Sequence, residues 1–223
     1  FASTARALRA YCRERHKWDK KTLDLVDWKT IESIRRNQKW AVFVRSMKVM
    51  HGWLPIMHNL GKYKEIKQCP GCECPDETFI HLFQCNHALM RTARADALEK
   101  IEDICLSMSL KNDFTRAFAS CIKHGITQTP APVPAYPHEL ATAVRHQNKI
   151  GTHKMLQGFL AQSWCAAIKK TGRKEPVQAL TRLHVVLWEQ LFQRVWDTHN
   201  HILKKTPNLY NAAEDSTLEA RLN

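Results

Sequence analysis

Four side chains that can bind a metal ion lie close together near residue 75 of the sequence. Cys69 and Cys72 enclose Pro70-Gly71, and His81 and Cys85 follow, which gives the spacing C-x2-C-x8-H-x3-C over seventeen residues. Thiolates and imidazoles in two such pairs are typical ligands of structural zinc. The spacing therefore predicts a zinc site with Cys69, Cys72, His81 and Cys85 as its ligands.

The local sequence suits this set of ligands. Pro70-Gly71 favours a tight turn that lets both flanking cysteines face one ion. His81 and Cys85 are four residues apart, so one helical turn would carry them on the same face. Asp76 and Glu77 are expected in the first turn of that helix, where carboxylates interact favourably with the helix dipole. We therefore expect the ligands to come from one turn and one helix.

Neighbouring residues offer alternative ligands. Cys74 lies two residues after Cys72, too close for both to join one tetrahedral site without strain, so we expect a bystander or an occasional substitute. His87 could replace His81 only by losing the one-turn spacing with Cys85. The alternative for the whole set is that these are ordinary buried cysteines. The other cysteines fall within helical patterns and are expected in the core of a protein from a reducing compartment: Cys12, Cys105, Cys121 and Cys165.

Positive charge is concentrated in the first third of the chain. The sequence has 34 Lys or Arg against 21 Asp or Glu, a formal net charge of +13, and residues 1–67 alone contribute +10. Such a distribution is typical of proteins that bind nucleic acid through its phosphates. The alternatives are a basic surface that maintains solubility or one that docks on acidic protein or lipid. The candidate contacts to nucleic acid are Arg35, Arg36, Lys39, Arg45, Lys48, Lys62, Lys64 and Lys67.

Tryptophans interleave with these basic residues, and an exposed tryptophan could stack on a base. Trp40 falls on an apolar helical stripe, as do Trp164, Trp188 and Trp196, and this pattern predicts that all of them lie in the core. Trp18 and Trp53 lie near predicted turns, where exposure and burial are equally expected.

Helical periodicity dominates the sequence and predicts an all-α fold, a helical bundle with a small CCHC zinc knuckle. A basic helical region, 1–126, contains the knuckle at 69–85. Residues 127–137 hold four prolines and are predicted to form an extended linker, or alternatively a strap over the surface of a single domain. A C-terminal helical region, 138–206, and a flexible tail, 207–223, follow.

Two helices are expected in the C-terminal region. The first is one amphipathic helix that carries Ile150 to Ile168 and ends near Gly172. The second begins at Pro176 and is apolar over so wide an arc that it needs partners on two sides. It is expected to be the central helix of a bundle or half of a protein interface. Its two ridges are Leu180, Leu183, Leu187, Leu191 and Val195, and Trp188, Phe192, Trp196, His199 and Leu203.

Catalytic motifs are weak in this sequence. Asp197, His199 and His201 could hold a divalent ion in a nuclease, but His199 falls on an apolar ridge, which favours a core histidine. His146 and His153 have no carboxylate between them. No Gly-rich phosphate loop, nucleophile elbow or HExxH sequence occurs. Because a zinc ion with three thiolates and one imidazole has no open coordination position, we expect a non-catalytic protein.

Several of these motifs resemble the zinc-binding region that follows the polymerase domain in reverse transcriptases of non-LTR retrotransposons. The resemblance covers about residues 28–90 and rests on His51-Gly52-Trp53-Leu54-Pro55, Cys69-Pro70-Gly71-Cys72, Glu77-Thr78 and His81-Leu82-Phe83-Gln84-Cys85. Later segments, within 148–164 and 187–201, are similar to C-terminal parts of retroelement-derived proteins of diatoms and other protists.

The resemblance implies a zinc-stabilised helical module that associates with nucleic acid. It does not imply polymerase activity, because the paired aspartates of the reverse-transcriptase fingerprint are absent from this sequence. The first expected function is non-catalytic binding of DNA or RNA, mainly through phosphates. The alternative is a structural subunit that docks a protein partner through helix 177–204. No apolar run is long enough to cross a membrane. We expect an intracellular, nuclear protein, and a fragment or processed product because the sequence does not begin with Met.

Overall fold

The structure, a computed structural model, describes residues 2–37, 39–64 and 67–206, except for the side chains of 2–6, 35, 37 and 62–64. The predicted tail, 207–223, lies outside the described residues. Within them the fold is all-α, as predicted, and the β-type pairing is limited to one antiparallel bridge between Val26 and Ala161. None of the described helices has an apolar stretch long enough to cross a bilayer.

Helices of the N-terminal half surround the predicted knuckle. They are α1 (Ala2–His16), α2 (Lys20–Leu23), α3 (Trp28–Asn37), α4 (Trp40–His51), α5 (Met57–Lys64), α6 (Phe79–Gln84), α7 (Ala88–Ser107) and α8 (Asn112–Thr127). The C-terminal half contains α9 (His138–Ile150), a 3-10 helix (Thr152–Gln157), α10 (Ser163–Lys170), α11 (Pro176–Val186), a π-helical segment (Leu187–Gln193) and α12 (Arg194–Lys204).

Helices before and after the proline-rich segment contribute to one hydrophobic core. The indole of Trp164, on α10, packs edge-on against Phe114 and Phe118 of α8, with ring centroids 5.4 and 5.2 Å apart. Within the segment, Ala131 is buried, and its N–H and C=O both bond the side-chain amide of Asn148 at 2.9 Å. The regions on either side of 127–137 therefore share a core, which is the arrangement expected of a strap over one domain.

The prediction of one helix from Ile150 to Ile168 is wrong. Gly151 and Gly158 have φ angles of +107° and +87°, and these left-handed conformations interrupt the helix on both sides of the 3-10 turn. Buried polar groups in and after this interruption are satisfied by the buried amide of Gln147. Its Nε2 donates to Phe159 O at 3.1 Å, and its Oε1 accepts from the backbone N–H of Ala161 at 3.0 Å and from the indole N–H of Trp164 at 3.2 Å.

The helix that begins at Pro176 does run to Lys204, with a π-helical segment in its middle. Its first ridge, from Leu180 to Val195, is buried throughout. On its second ridge Trp188 is half-buried and the other members, including Trp196, are buried. α7, α10 and α3 are among the helices that contact it. The helix is therefore packed on two sides by other parts of the same chain.

Candidate metal centre and basic face

The structure brings the four predicted metal ligands together. The ligand atoms of Cys69, Cys72, His81 and Cys85 all lie within 4.8 Å of one another. Cys69 Sγ is 3.7 Å from Cys85 Sγ, and Cys72 Sγ is 3.3 Å from His81 Nε2. A tetrahedral ion with sulfur ligands at about 2.3 Å and nitrogen at about 2.0 Å requires separations of about 3.8 and 3.5 Å. The cluster is therefore compatible with a metal site.

A turn and a short helix hold these ligands, as the sequence predicts. Cys69 N–H donates to Cys74 O at 2.8 Å, which closes the loop that carries the first pair. Thr78 caps α6 by accepting a hydrogen bond from His81 N–H at 3.2 Å, and Cys85 lies at the C-terminal end of the same helix. Cys74 and His87 lie outside the cluster of mutually close ligand atoms.

The prediction that Asp76 and Glu77 occupy the first turn of this helix is wrong, because α6 begins two residues later, after its Thr78 cap. Both carboxylates instead contact neighbouring elements. Asp76 Oδ1 is 2.7 Å from His58 Nδ1 at the surface. Glu77 is fully buried, and its Oε2 accepts a hydrogen bond from Met57 N–H at 2.8 Å.

The second carboxylate oxygen of Glu77 reaches across the chain. Glu77 Oε1 lies 2.8 Å from Nε2 of His199, which is buried on α12. His199 is therefore a core histidine, as predicted, although its polar partner was not foreseen. Glu77 joins the knuckle to α5 on one side and to α12 on the other.

Protons compete with a metal ion for these ligands. The hydrogen bond with Cys85 and burial raise the pKa of Cys69 to about 12. The same hydrogen bond lowers the pKa of Cys85, and a hydrogen bond with Cys69 raises the pKa of His81. A metal ion requires thiolates and a neutral imidazole, so its binding releases protons and strengthens as pH rises.

The described part of the predicted basic set is exposed: Arg36 on α3, Arg45 and Lys48 on α4, Lys39 just before α4, and Lys67 after α5. Arg45 and Lys48 share one face of α4, because residues three apart on a helix are neighbours. The side chains of Arg35, Lys62 and Lys64 are outside the part of the chain that the structure describes.

The prediction that Trp40 lies in the core is wrong. Its side chain is 76% exposed and stacks on Phe43, with ring centroids 5.4 Å apart. Periodicity places Trp40 on the apolar stripe, but it is the first residue of α4, and the buried residues of this helix, Val49 to His51, lie in its last turn. The other tryptophans predicted in the core are buried or, for Trp188, half-buried.

A second exposed aromatic group lies at the other end of α4. Trp53 is 52% exposed, whereas Trp18 is buried. The rings of Trp53, His51 and Tyr11 contact one another, with centroid distances of 4.9 Å from His51 to Trp53, 4.8 Å from His51 to Tyr11 and 5.8 Å from Tyr11 to Trp53. Sequence reasoning missed Tyr11, because nothing in the sequence indicates that α1 crosses the end of α4.

Hydrogen bonds connect Glu77, which lies in sequence between the two ligand pairs, to the turn next to this aromatic group. Glu77 accepts from the first residue of α5, Met57, as described above. Two residues later, Asn59 Nδ2 donates to the carbonyl oxygens of Gly52 and Leu54 at 2.9 and 2.6 Å. These bonds hold the turn that carries Trp53, so its position depends on contacts that begin at Glu77.

The other candidate catalytic residues are not brought together. Asp197 and His201 are exposed, whereas His199 is buried against Glu77. His146 Nδ1 lies 3.1 Å from Ser163 Oγ. Neither set belongs to a group of metal-ligating atoms within the described residues.

Comparisons with known proteins give no relative for this chain. Neither a family model, nor a curated protein, nor a solved structure matches it.

Proposed function

We propose that this chain is a non-catalytic, zinc-stabilised nucleic-acid-binding region of a retroelement-type, reverse-transcriptase-associated protein. The observation that carries the proposal is the exposure of Trp40 on α4, a helix that also exposes Arg45 and Lys48. A large apolar ring is costly to leave in water. On a helix that also carries exposed cationic side chains, such a ring has the chemistry of a platform for a stacked base.

Zinc is the ion that suits the cluster best. Three thiolates and one imidazole are a soft, closed ligand set, and such zinc sites stabilise the chain rather than activate water. In this proposal zinc fixes the loop and α6. Through Glu77 and α5, it also fixes the turn that carries Trp53.

Binding is expected to depend mainly on phosphate contacts. Exposed Lys and Arg neutralise phosphates regardless of base sequence, and each contact releases counterions. Stacking on Trp40 would favour single-stranded segments, since bases in a duplex are not available to an indole ring.

The test compares binding to a labelled single strand, as DNA and as RNA, and to the corresponding duplex over a range of salt concentrations. Replacing Arg45 and Lys48 by Gln should reduce the slope of log K against log salt by about 1.8 on duplex DNA. The charge-matched control, Lys169→Gln with Lys174→Gln, removes two exposed lysines of the C-terminal half and should leave the slope unchanged. Equal slopes for the two double variants would refute this binding face.

The tryptophan contribution is measured separately. Trp40→Ala should weaken single-strand binding by about 1 to 3 kcal/mol and leave the salt slope unchanged, because it removes stacking but no charge. An equal loss on duplex and single strand would contradict the stacking role.

The metal is tested by elemental analysis and by Cys85→Ser, with Cys105→Ser as a matched change at a buried cysteine outside the cluster. One zinc per chain is expected in the wild type and in the Cys105 variant. Cys85→Ser should lose zinc and unfold residues 60–95. Retention of full helicity and of the melting temperature by a zinc-free Cys85→Ser protein would contradict a structural metal.

The alternative function, docking of a protein partner through helix 177–204, has weaker support. Its apolar ridges pack largely against other described helices, including α7, α10 and α3, and its one large exposed apolar side chain within the described residues is that of Val177. Leu187, Trp188, Leu191 and Phe192 also line a cavity. Zinc binding without any affinity for nucleic acid would favour this alternative.

A further inference from the structure

A second group of metal-ligating side chains lies between α1 and α4, away from the four cysteine and histidine residues of the knuckle. Cys12 and His16 are one helical turn apart on α1, and His51 is the last residue of α4. The ligand atoms of these three residues all lie within 4.8 Å of one another. Cys12 and His51 are buried and His16 is half-buried.

Neighbouring rings contact the two imidazoles. The ring of His51 packs against Tyr11 and Trp53, with centroids 4.8 and 4.9 Å apart. Arg15 Nη2 donates to the backbone carbonyl oxygen of His51 at 3.0 Å and joins α1 to the end of α4. The ring of His16 packs against Trp18 and Phe159, with centroids 4.7 and 5.0 Å apart. Ligands that are held in this way need little rearrangement to bind an ion.

The two nitrogens of His16 have different surroundings. Its Nδ1 lies 3.1 Å from Lys154 Nζ, whereas its Nε2 is buried and has no hydrogen-bond partner among the described residues. A buried polar atom without a partner is costly. Because the Lys154 ammonium can only donate, Nδ1 accepts this hydrogen bond and Nε2 carries the ring proton. Ligation through Nε2 therefore moves that proton to Nδ1 and breaks the contact with Lys154, while the bound ion satisfies the buried Nε2.

We propose that Cys12, His16 and His51 form a second metal site, selective for monovalent copper. Thiolate and imidazole ligands suit both copper(I) and zinc. The neighbouring cations, Arg15 and Lys154, oppose additional positive charge. Copper(I) and one thiolate together are neutral, whereas zinc and one thiolate would leave a net positive charge in a buried place.

The binding step involves no change of oxidation state. The Cys12 thiol releases its proton to solvent, and the ring proton of His16 moves from Nε2 to Nδ1. Sγ and two imidazole nitrogens then donate electron pairs to copper, which stays monovalent. This site does not depend on the proposed nucleic-acid function, because its ligands differ from those of the knuckle and from the proposed phosphate contacts.

The test uses the zinc-loaded chain of 223 residues under anaerobic conditions. Copper(I) is titrated in competition with a chromophoric copper(I) chelator, and zinc is measured in the same samples. The wild type should bind one equivalent of copper and keep its zinc. Cys12→Ser should weaken copper binding by at least about tenfold. Replacing a residue that only hydrogen-bonds a metal ligand already weakens metal affinity by about that factor, so loss of a ligand itself should cost no less.

Two further variants separate ligation from folding. His16→Phe preserves the ring packing against Trp18 and Phe159 and should lose copper to the same extent as Cys12→Ser. Cys105→Ser, a matched change at another buried helical cysteine, should bind copper like the wild type. Copper that binds only by displacing zinc, or that binds equally to the Cys12 and Cys105 variants, would overturn the proposal. A second equivalent of zinc in place of copper would overturn the assignment of the ion.

Discussion

Glu77 is the side chain whose replacement should affect the widest part of the structure. Its carboxylate is fully buried and contacts Met57 N–H and His199 Nε2, each at 2.8 Å. Glu77→Ala would leave both of these groups buried without a partner, at about 1 to 3 kcal/mol each. We therefore expect the free energy of unfolding to fall by about 4 kcal/mol, a large fraction of the stability of a typical domain.

A double-mutant cycle isolates the contact between Glu77 and His199. His199→Phe removes the polar partner but keeps a ring stacked on Trp196, where the present centroid distance is 5.3 Å. Urea denaturation of the wild type, of Glu77→Ala, of His199→Phe and of the double variant gives four unfolding free energies. Hydrogen bonds to a charged group contribute about 1.5 to 3 kcal/mol, so we expect a coupling energy of about 2 kcal/mol.

The other contact of Glu77 can be followed at one amide. Hydrogen exchange at Met57 N–H should accelerate strongly in Glu77→Ala and only slightly in His199→Phe, because only the first variant removes its acceptor. A coupling energy below about 0.5 kcal/mol would show that the two residues act independently and would refute the role assigned to this contact. Unchanged exchange at Met57 would refute the connection between the knuckle and α5.

Two further predictions concern the C-terminal half. Gln147→Leu should lower the free energy of unfolding by about 3 kcal/mol or more in urea denaturation, because buried groups of Phe159, Ala161 and Trp164 lose their partner. Burial lowers the pKa of His184 to about 4, so between pH 6.5 and 4 its imidazole binds a proton in the unfolded chain but not in the native one. The free energy of unfolding should therefore fall as pH decreases through that window. When this free energy is plotted against pH, the slope for His184→Phe should be smaller than that of the wild type by about 1.4 kcal/mol per pH unit. Equal slopes would contradict a buried neutral imidazole.

Features that depend on nearby residues could be predicted from the sequence. The Cys/His cluster is defined by spacings of three, nine and four residues, which a turn and one short helix convert directly into proximity. The helical class follows from periodicity in the same way. By contrast, the partner of Glu77 is 122 residues away, and the sequence gives no signal that pairs it with His199.

Predictions from hydrophobic periodicity were wrong at positions where burial or helix length depends on contacts with distant parts of the chain. Periodicity placed Trp40 on the apolar stripe of α4, but only tertiary structure decides how far along a helix its stripe is covered. In the region after Ile150, apolar residues continued the helical pattern through two glycines. There the chain adopts left-handed conformations and buries the same residues around Gln147 instead.

The electrostatics of the knuckle are compatible with the proposed metal. Zinc with three thiolates would carry one net negative charge, and a buried net charge is costly unless it is compensated. Arg94 would supply the compensation, since its guanidinium donates to Cys85 O at 2.8 Å. Burial lowers the pKa of Arg94, and the charge of Cys85 acts in the opposite direction. The half-buried arginine is therefore best stabilised when the cysteines are ionised, which is the state that a bound metal ion imposes.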